Sequence, residues 1–419
     1  MASALSKTTA FDITDPARGG PAAHAGIDMA ADMSMIDVQI LSGLEDAEPM
    51  WQSLEVDGIG GPYQTFRWCK AWCDTIGTRD RAEPVIVIGT IAQRPVFILP
   101  LVKRRRFAVT MLSFLGSEVA NQNTGLWLPQ AYAAVPPGAL GALLQKACDE
   151  AGADVMFLEN LPESWAGRAH PLVQARSQPS PSSVFQRALD RPFDQLFVQT
   201  HSKSTRRKLK RKRKLLGEAG GFRAFKATTQ DEVRLGLDAF LHQRKVRAVT
   251  SGIPSGFSDK AKQAFLADLS RIDAAATHPS ASLDIWILEA GGAIQATYLS
   301  VTYRGTLTGY ATSVGNTELT AHSPAIILIN HIVEAACADP EVEVFDFGLG
   351  DERYKRSWTS PVTLRDAFLP ATLKGRAAVA ALQLRQTVKA SIRGSETIWS
   401  LVRKARKWRA STKRAGRAD

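Results

Sequence analysis

The sequence predicts a mixed α/β protein that uses one arrangement twice: a mixed, mostly antiparallel sheet flanked by helices, in tandem. Three observations predict it. The order strand, two helices, three antiparallel strands, helix, strand is readable in both halves. "DVMFLENLPES" lies over "VEVFDFGLGDE" about 190 residues later, and the hairpins at "IAQRP" and "EAGGA" are separated by about the same distance, which implies duplication. The 419 residues, 45% apolar and 22% charged, suffice for two or three globular domains with a sizeable core.

Residues 1–35 mix Ala, Gly, Pro, Asp and Met without period and read as a disordered leader. The first domain spans 36–185. "MIDVQIL" is its first strand, "LEDAEPMWQSLEV" and "TFRWCKAWCDTIG" its helices, and "EPVIVIGTIAQRPVFILPLVKRR" a hairpin; strand at 107–128, a helix at 137–151 and the strand "DVMFLEN" follow. The second domain spans 186–375. "FRAFKAT" is a strand, 229–248 and 257–275 are helices, and "LDIWILEAGGAIQATYLSVTYRGTLTGYATSV" makes three strands. The helix "SPAIILINHIVEAACAD" and the strand "EVEVFDFG" complete the repeat, with further strand at "TLRDAFLP" assigned to the same domain. Residues 376–419 form a basic tail.

The net charge of +11 is local. Residues 203–214, "KSTRRKLKRKRK", carry nine cations and no acid, and residues 374–419 carry a net +11, which leaves −9 for the remainder. In the tail, Ser395 can cap a helix with Ile398, Trp399, Leu401, Val402, Ala405 and Trp408 on one side and cations on the other, a pattern suited to an anionic membrane surface or to docking on the protein's own core. No apolar run reads as a secretory signal or a membrane span, so a cytoplasmic protein is expected, peripheral at most. The cysteines, Cys69, Cys73, Cys148 and Cys337, are few for this length; Cys69 and Cys73 lie on an apparent helix and read as small buried hydrophobes, and no metal site is expected.

The stretch "FDFGLGDERYKRSW", 345–358, concentrates the chemistry. Its DFG lacks the phosphate loop, strand Lys and catalytic loop that a kinase needs, and Gly348-Leu349-Gly350 lacks the third Gly of a dinucleotide fingerprint. Asp346 stands among apolar neighbours on a strand, where a carboxylate must be hydrogen-bonded or functional. Gly348 and Gly350 allow a sharp turn off the strand, and Tyr354, Lys355 and Trp358 follow at one-turn spacings. In "AHSPAIILIN", Ser323 is the expected N-cap and Pro324 the first helical residue, so the helix opening offers free N–H groups to an anion. No nucleophile elbow and no Cys-His pair is present, which fits direct transfer without a covalent enzyme intermediate.

With "KSTRRKLKRKRKLLGEAGG", "FLHQRK" followed by "GFSDKAKQAFLADL", "SPAIILINHIVEAA" and "FDFGLGDERYKRSW" in this order, residues 200–370 resemble the CelD/BcsL-type acetyltransferases of cellulose and exopolysaccharide biosynthesis. These have GNAT-like acyl-CoA N-acyltransferase domains and are similar in fold to Fem-type peptidyltransferases. The resemblance implies acetyl-CoA or another acyl-CoA as cofactor, held by Ser313, Val314, Ser323, Ala325 and Ile326. It implies catalytic roles for Asp346, Asp351, Tyr354 and Lys355, and acceptor contacts from His242, Arg244, Tyr310 and Trp358. The family pattern has Gly where this chain has Ala325, whose methyl group narrows the approach of a phosphate. The implied acceptor is a small molecule or glycan precursor of the cell envelope. Two alternatives stay open: a tRNA-dependent aminoacyl transferase that grips tRNA with helix 203–214, and a non-catalytic module for an anionic partner. The first half, with no counterpart of Ser323-Pro324 or of the 348–355 turn, is expected to be a degenerate scaffold that helps wall the acceptor cleft.

Overall fold

The computed structural model describes residues 36–106, 108–174, 177–272 and 281–394. The leader, Ser395 and the amphipathic residues 398–409 lie outside the described residues. The fold is mixed α/β, with two large mixed sheets flanked by helices. In each half a β-hairpin leads to a third strand, a crossover helix and a strand parallel to that third one. In the first half these are Glu83–Ile91, Arg94–Arg106, Val109–Phe114, helix Gly141–Glu150 and Val155–Pro162. In the second they are Leu283–Ala290, Ala293–Tyr303, Thr306–Val314, helix Pro324–Ala338 and Val344–Asp346. The turns between the hairpin strands place Ala92 and Gln93, and Gly291 and Gly292, at positive φ, the backbone that tight hairpins demand.

One assignment is corrected. The strand in "TLRDAFLP", Leu364–Pro370, joins the first sheet, antiparallel to Val155–Pro162. Phe368 stacks on Phe157 at 4.7 Å, and Ala367 is buried in the first half's core. Residues Gln186–Ala188, at the start of the second domain, pair with Val344–Asp346 in the second sheet. The chain therefore crosses between sheets twice, and the helix Leu373–Gly394 packs on the first half.

One apolar core runs across both halves, from Trp51, Trp68 and Ile86 to Phe240, Phe265 and Ile285. Each such side chain contributes about 1.5–3 kcal/mol when fully buried, so the halves stabilise one another. The Arg304 guanidinium donates to the main-chain carbonyl of Glu55, and Arg67 donates to that of Asp268 at 3.2 Å. The second sheet is thus covered on one face by the first half with helices Gln230–Ser251 and Lys260–Leu269. Its other face carries Pro324–Ala338 and the basic helix Lys203–Glu218.

Candidate active site where two parallel strands part

Thr306–Val314 and Val344–Asp346 pair only at Thr306↔Val344, Leu307↔Phe345 and Thr308↔Asp346. Immediately beyond, the register against Ala293–Tyr303 slips: Ser300 faces Gly309, Leu299 faces Ala311, and Tyr310 is the extra residue. Such a bulge bends a strand and re-aims its side chains. Leu307, Thr308 and Gly309 are buried, whereas Tyr310, Ala311, Thr312 and Val314 are partly exposed, so the bulged strand emerges where its neighbour leaves it. The neighbour departs at Gly348, whose φ is +77°; a Cβ there would lie 2.2 Å from the Gly309 carbonyl oxygen. Only glycine fits both constraints.

Asp346 sits at the fork, fully buried. Its Oδ2 accepts from Gln122 Nε2 at 2.6 Å and from Gln186 Nε2 at 3.1 Å, and its Oδ1 accepts from the Gly348 N–H at 2.8 Å. Burial raises its pKa, against the pull of these donors and of Lys355. With both oxygens engaged, Asp346 holds the fork together and is not free to meet a substrate.

Three other candidates are redirected as well. Lys355 is 3% exposed, and its Nζ donates to the carbonyls of Gly348 at 3.1 Å and Leu349 at 3.0 Å and pairs with Glu352 at 2.7 Å. Three partners consume its three protons, so it braces the turn and does not reach a phosphate or an acyl group. Asp351 is exposed and forms a two-pronged pair with Arg356, which holds its carboxyl below the usual range. Trp358 is core, packed on Phe347, Phe197 and His201. Tyr354 fits its expected place better. It is half-buried beside Phe347, and burial pushes its phenol well above the usual tyrosine range.

The helix Pro324–Ala338 begins just past the end of the bulged strand. Ser323 occupies the N-cap position, but with φ +55°, and its side chain caps no helical N–H. Its Oγ instead accepts from Lys212 Nζ of the basic helix at 2.6 Å. Pro324 has no N–H, and those of Ile326 and Ile327 both bond to the Ser323 carbonyl, which leaves the Ala325 N–H without a partner among the described residues. The opening therefore offers one free amide, the positive end of the helix dipole and an ammonium group. Two positive features held together favour an anion between or beside them. Left-handed backbone at a non-glycine residue costs about 1 kcal/mol, and here it falls on the residue that receives Lys212. Ser313 points elsewhere: its hydroxyl is buried between Gln243 at 2.5 Å and Thr297 at 2.6 Å, while Val314 ends the strand opposite Ala296.

On the face toward the first half, Tyr310 contacts Trp68 at 5.6 Å and Phe257 at 6.3 Å between ring centroids. Arg244 lies over Phe257 at 5.2 Å and donates to the Thr312 carbonyl at 3.3 Å. Burial, with Arg247 nearby, lowers its pKa, an environment that an incoming anion would relieve. His242 is not part of this group. It is exposed in a separate cleft of about 710 Å³, lined also by Leu235, Asp238, Gln243, Glu289 and Ile294.

The residues that sequence reasoning missed come mostly from the first half. Asn121 Nδ2 donates to the Gly309 carbonyl at 3.0 Å and to the Tyr63 hydroxyl at 2.8 Å, and Gln122 clamps Asp346. The polar cluster "ANQNTG" was their only local signal. Lys212 stood inside the basic run already singled out.

Residues 203–356 match the family model described as an acetyltransferase (GNAT) domain. No curated protein matches the chain. Among solved structures, the chain is similar to FemX with a TM-score of 0.51 at 9% identity, over 79% of this chain and 96% of that one. It is also similar to L-PGS from Bacillus licheniformis (TM-score 0.48, 9% identity, 85% of this chain and 98% of that one). A third is a tandem GNAT protein from the clavulanic acid biosynthesis pathway (TM-score 0.44, 12% identity, 80% and 99%). At 9% identity the likeness to FemX bears on the fold alone. The domain match makes the second half a GNAT-type acyltransferase domain, and the chain an enzyme of that kind.

Proposed function

We propose that the chain is an acyl-CoA-dependent N-acyltransferase that works by direct transfer at the fork between the bulged strand and Gly348. The observation that carries this reading is the meeting of an unpaired strand edge with a helix opening that holds a free amide and Lys212. Past Gly309, whose carbonyl is taken by Asn121, the bulged strand has a strand neighbour on one side only, so that edge suits the peptide-like amides of a pantetheine arm. The Ala325 N–H, the helix dipole and Lys212 suit a pyrophosphate. Bound there, an acyl-CoA supplies an acyl group activated as a thioester.

As the amine adds to the thioester carbon the C–S bond breaks and the surplus proton on nitrogen passes to solvent; the chain's own residues act on the two partners. Tyr354 Oη carries its proton at neutral pH, as any phenol does, and its half-buried place beside Phe347 at the turn off the fork makes it the candidate to protonate a departing thiolate. Arg244, with Tyr310, Phe257 and Trp68 around it, forms an aromatic-lined acceptor wall with one cation aimed at an anionic group of the acceptor. An acceptor that carries both an amine and an acidic group satisfies that wall. The resemblance to CelD/BcsL-type acetyltransferases makes a precursor of the cell envelope or of an exopolysaccharide the acceptor of choice.

Calorimetric titration with acetyl-CoA tests the reading. Saturable binding is expected, lost in Ala325→Asp and weakened roughly tenfold in Lys212→Met. An acidic residue in the first turn favours the helix, so loss of binding in Ala325→Asp with an unchanged melting temperature isolates the site from the fold. Absence of binding by the wild-type chain would remove the proposal.

A further inference from the structure

The basic helix buries little of its charge. Leu216 is fully buried, Leu209 packs on the core beneath Pro324–Ala338, and Lys212 turns inward to Ser323. Lys203, Arg207, Lys210, Arg211 and Lys214 all remain exposed. At spacings of three, four, seven and eight they fall on one outward stripe about 16 Å long. Among the described residues only Lys214 of these five has a carboxylate partner, Glu218 at 3.6 Å.

This arrangement works against the helix. Lys203 with Arg207, Arg207 with Arg211, and Lys210 with Lys214 are like-charged neighbours one turn apart, each mildly destabilising. The first turn carries cations and no acid, the reverse of what the dipole favours. An external anionic surface reverses both penalties.

We propose that this stripe docks the protein on an anionic lipid bilayer. The charges lie along one face of a helix that rests on the folded body, and so present a flat array. The stripe is made of Lys and Arg alone, with no aromatic side chain on which a base could stack. Acidic headgroups attract such clusters without regard to sequence, at a strength set by the number of Lys and Arg near the surface. The net −9 carried outside residues 203–214 and 374–419 is repelled by the same surface, so attraction falls to the basic segments, of which this helix lies on the folded body. No described helix is long and apolar enough to cross a membrane, so attachment through this face is peripheral. Lys212, on the inner side of the same helix, then brings the opening at Ser323 close to the lipid surface. The docking stands independently of which acyl group is transferred.

The test is flotation of the full-length chain with vesicles of phosphatidylcholine alone or mixed with phosphatidylglycerol, at low and high salt. The wild type is expected to float only with the mixed vesicles and to be released by salt. Replacing Lys203, Arg207, Lys210, Arg211 and Lys214 with Gln keeps a good helix former at each position and is expected to weaken partition at least roughly tenfold. Circular dichroism and acetyl-CoA binding serve as checks of the fold. Lys245→Gln with Arg247→Gln, two exposed cations on another helix, should float as the wild type does. Failure of the wild type to float, equal partition of the five-site variant, or displacement from vesicles by an equimolar RNA duplex would each overturn the proposal.

Discussion

The two halves repeat one chain path, but they differ where the third strand hands over to the crossover helix. In the second half, residues 315–323 make that connection in a short loop that ends at Ser323 beside Lys212. In the first half the same connection spans 115–140, and its early part, Ser117 to Thr124, reaches across to the other half's fork. The bulged strand of the second half has a shifted register, while its counterpart Val109–Phe114 pairs with Arg94–Arg106 without a slip. One half thus carries the opening that suits an anion, and in the other the equivalent loop is an arm that contacts its neighbour's fork. The first half, expected from its missing Ser-Pro and glycine turn to be a degenerate scaffold that helps wall the cleft, reaches the fork through Asn121 and Gln122.

The largest expected effect breaks the junction itself. Asp346→Ala leaves the Gln122 amide, the Gln186 amide and the Gly348 N–H without their acceptor in a buried setting. A cost of about 3–5 kcal/mol follows from about 1–3 kcal/mol per orphaned group, read as a fall in melting temperature. Transfer activity should fall at least about a hundredfold, because Gly348 and the bulge lose their common anchor. The wild type's pH profile carries the same signature. A buried acid with a raised pKa stabilises the fold most below the usual carboxylate pKa and loses that contribution as pH climbs through the raised value. Asp346→Asn should flatten this slope; an unchanged profile would assign the slope to other groups.

Glu55 gives a control in the first half. Burial pushes its pKa up to about 7 from the usual 4.5, although the Phe66 N–H and Arg304 pull it down. Native Glu55 therefore keeps a proton that the unfolded chain releases, and stability declines from about pH 4.5 to pH 7 and levels off above. The full span amounts to about 3 kcal/mol at about 1.4 kcal/mol per unit. Glu55→Gln retains an acceptor for Phe66 and should remove most of that decline in calorimetric scans across pH. Acetyl-CoA affinity should not move, since Glu55 touches none of the fork residues. Together the two acids separate a pH effect on the core from one on the site.

How much of this was legible depends on the range of the signal. The repeated hairpins, the crossover helices and the Gly348 turn are local patterns, and they appear where periodicity and turn chemistry put them. Leu364–Pro370 was recognisable as a strand, but alternation reports that a strand is half-buried and not which sheet it joins. At the site, Tyr310, Arg244, Tyr354 and Ser323 lie in segments whose order is informative. Lys355 misled because a buried lysine bracing a turn has the same letters around it as one poised for a phosphate. Gln122 was invisible, since it meets Asp346 across 224 residues and no local rule links an amide in a loop to a distant carboxylate. Lys212 was visible only as one cation among nine; its inward turn is a fact of packing.

Gln122→Ala sharpens the comparison more gently than loss of Asp346, because Gln186 and Gly348 still hold the carboxylate. A stability loss of about 1–2 kcal/mol is expected. If the first-half arm shapes the other half's fork, kcat should fall several-fold while acetyl-CoA affinity, which we propose is set on the other side of the sheet at Ala325 and Lys212, stays as it was. A loss confined to melting temperature, with kcat intact, would return the first half to the role of a wall.

The smallest effect belongs to the carboxylate five residues beyond Asp346. Asp351 and Arg356 pair in solvent, where ion pairs are worth about 0–1 kcal/mol and weaken further in salt. Asp351→Asn should therefore leave the melting temperature within a degree or two of the wild type and leave kcat unchanged, because Lys355 and not Asp351 braces the turn through the Gly348 and Leu349 carbonyls. A marked fall in kcat would mean that the exposed carboxylate meets the substrate after all. The division between a fork built on Asp346 and a surface pair outside it would then have to be redrawn.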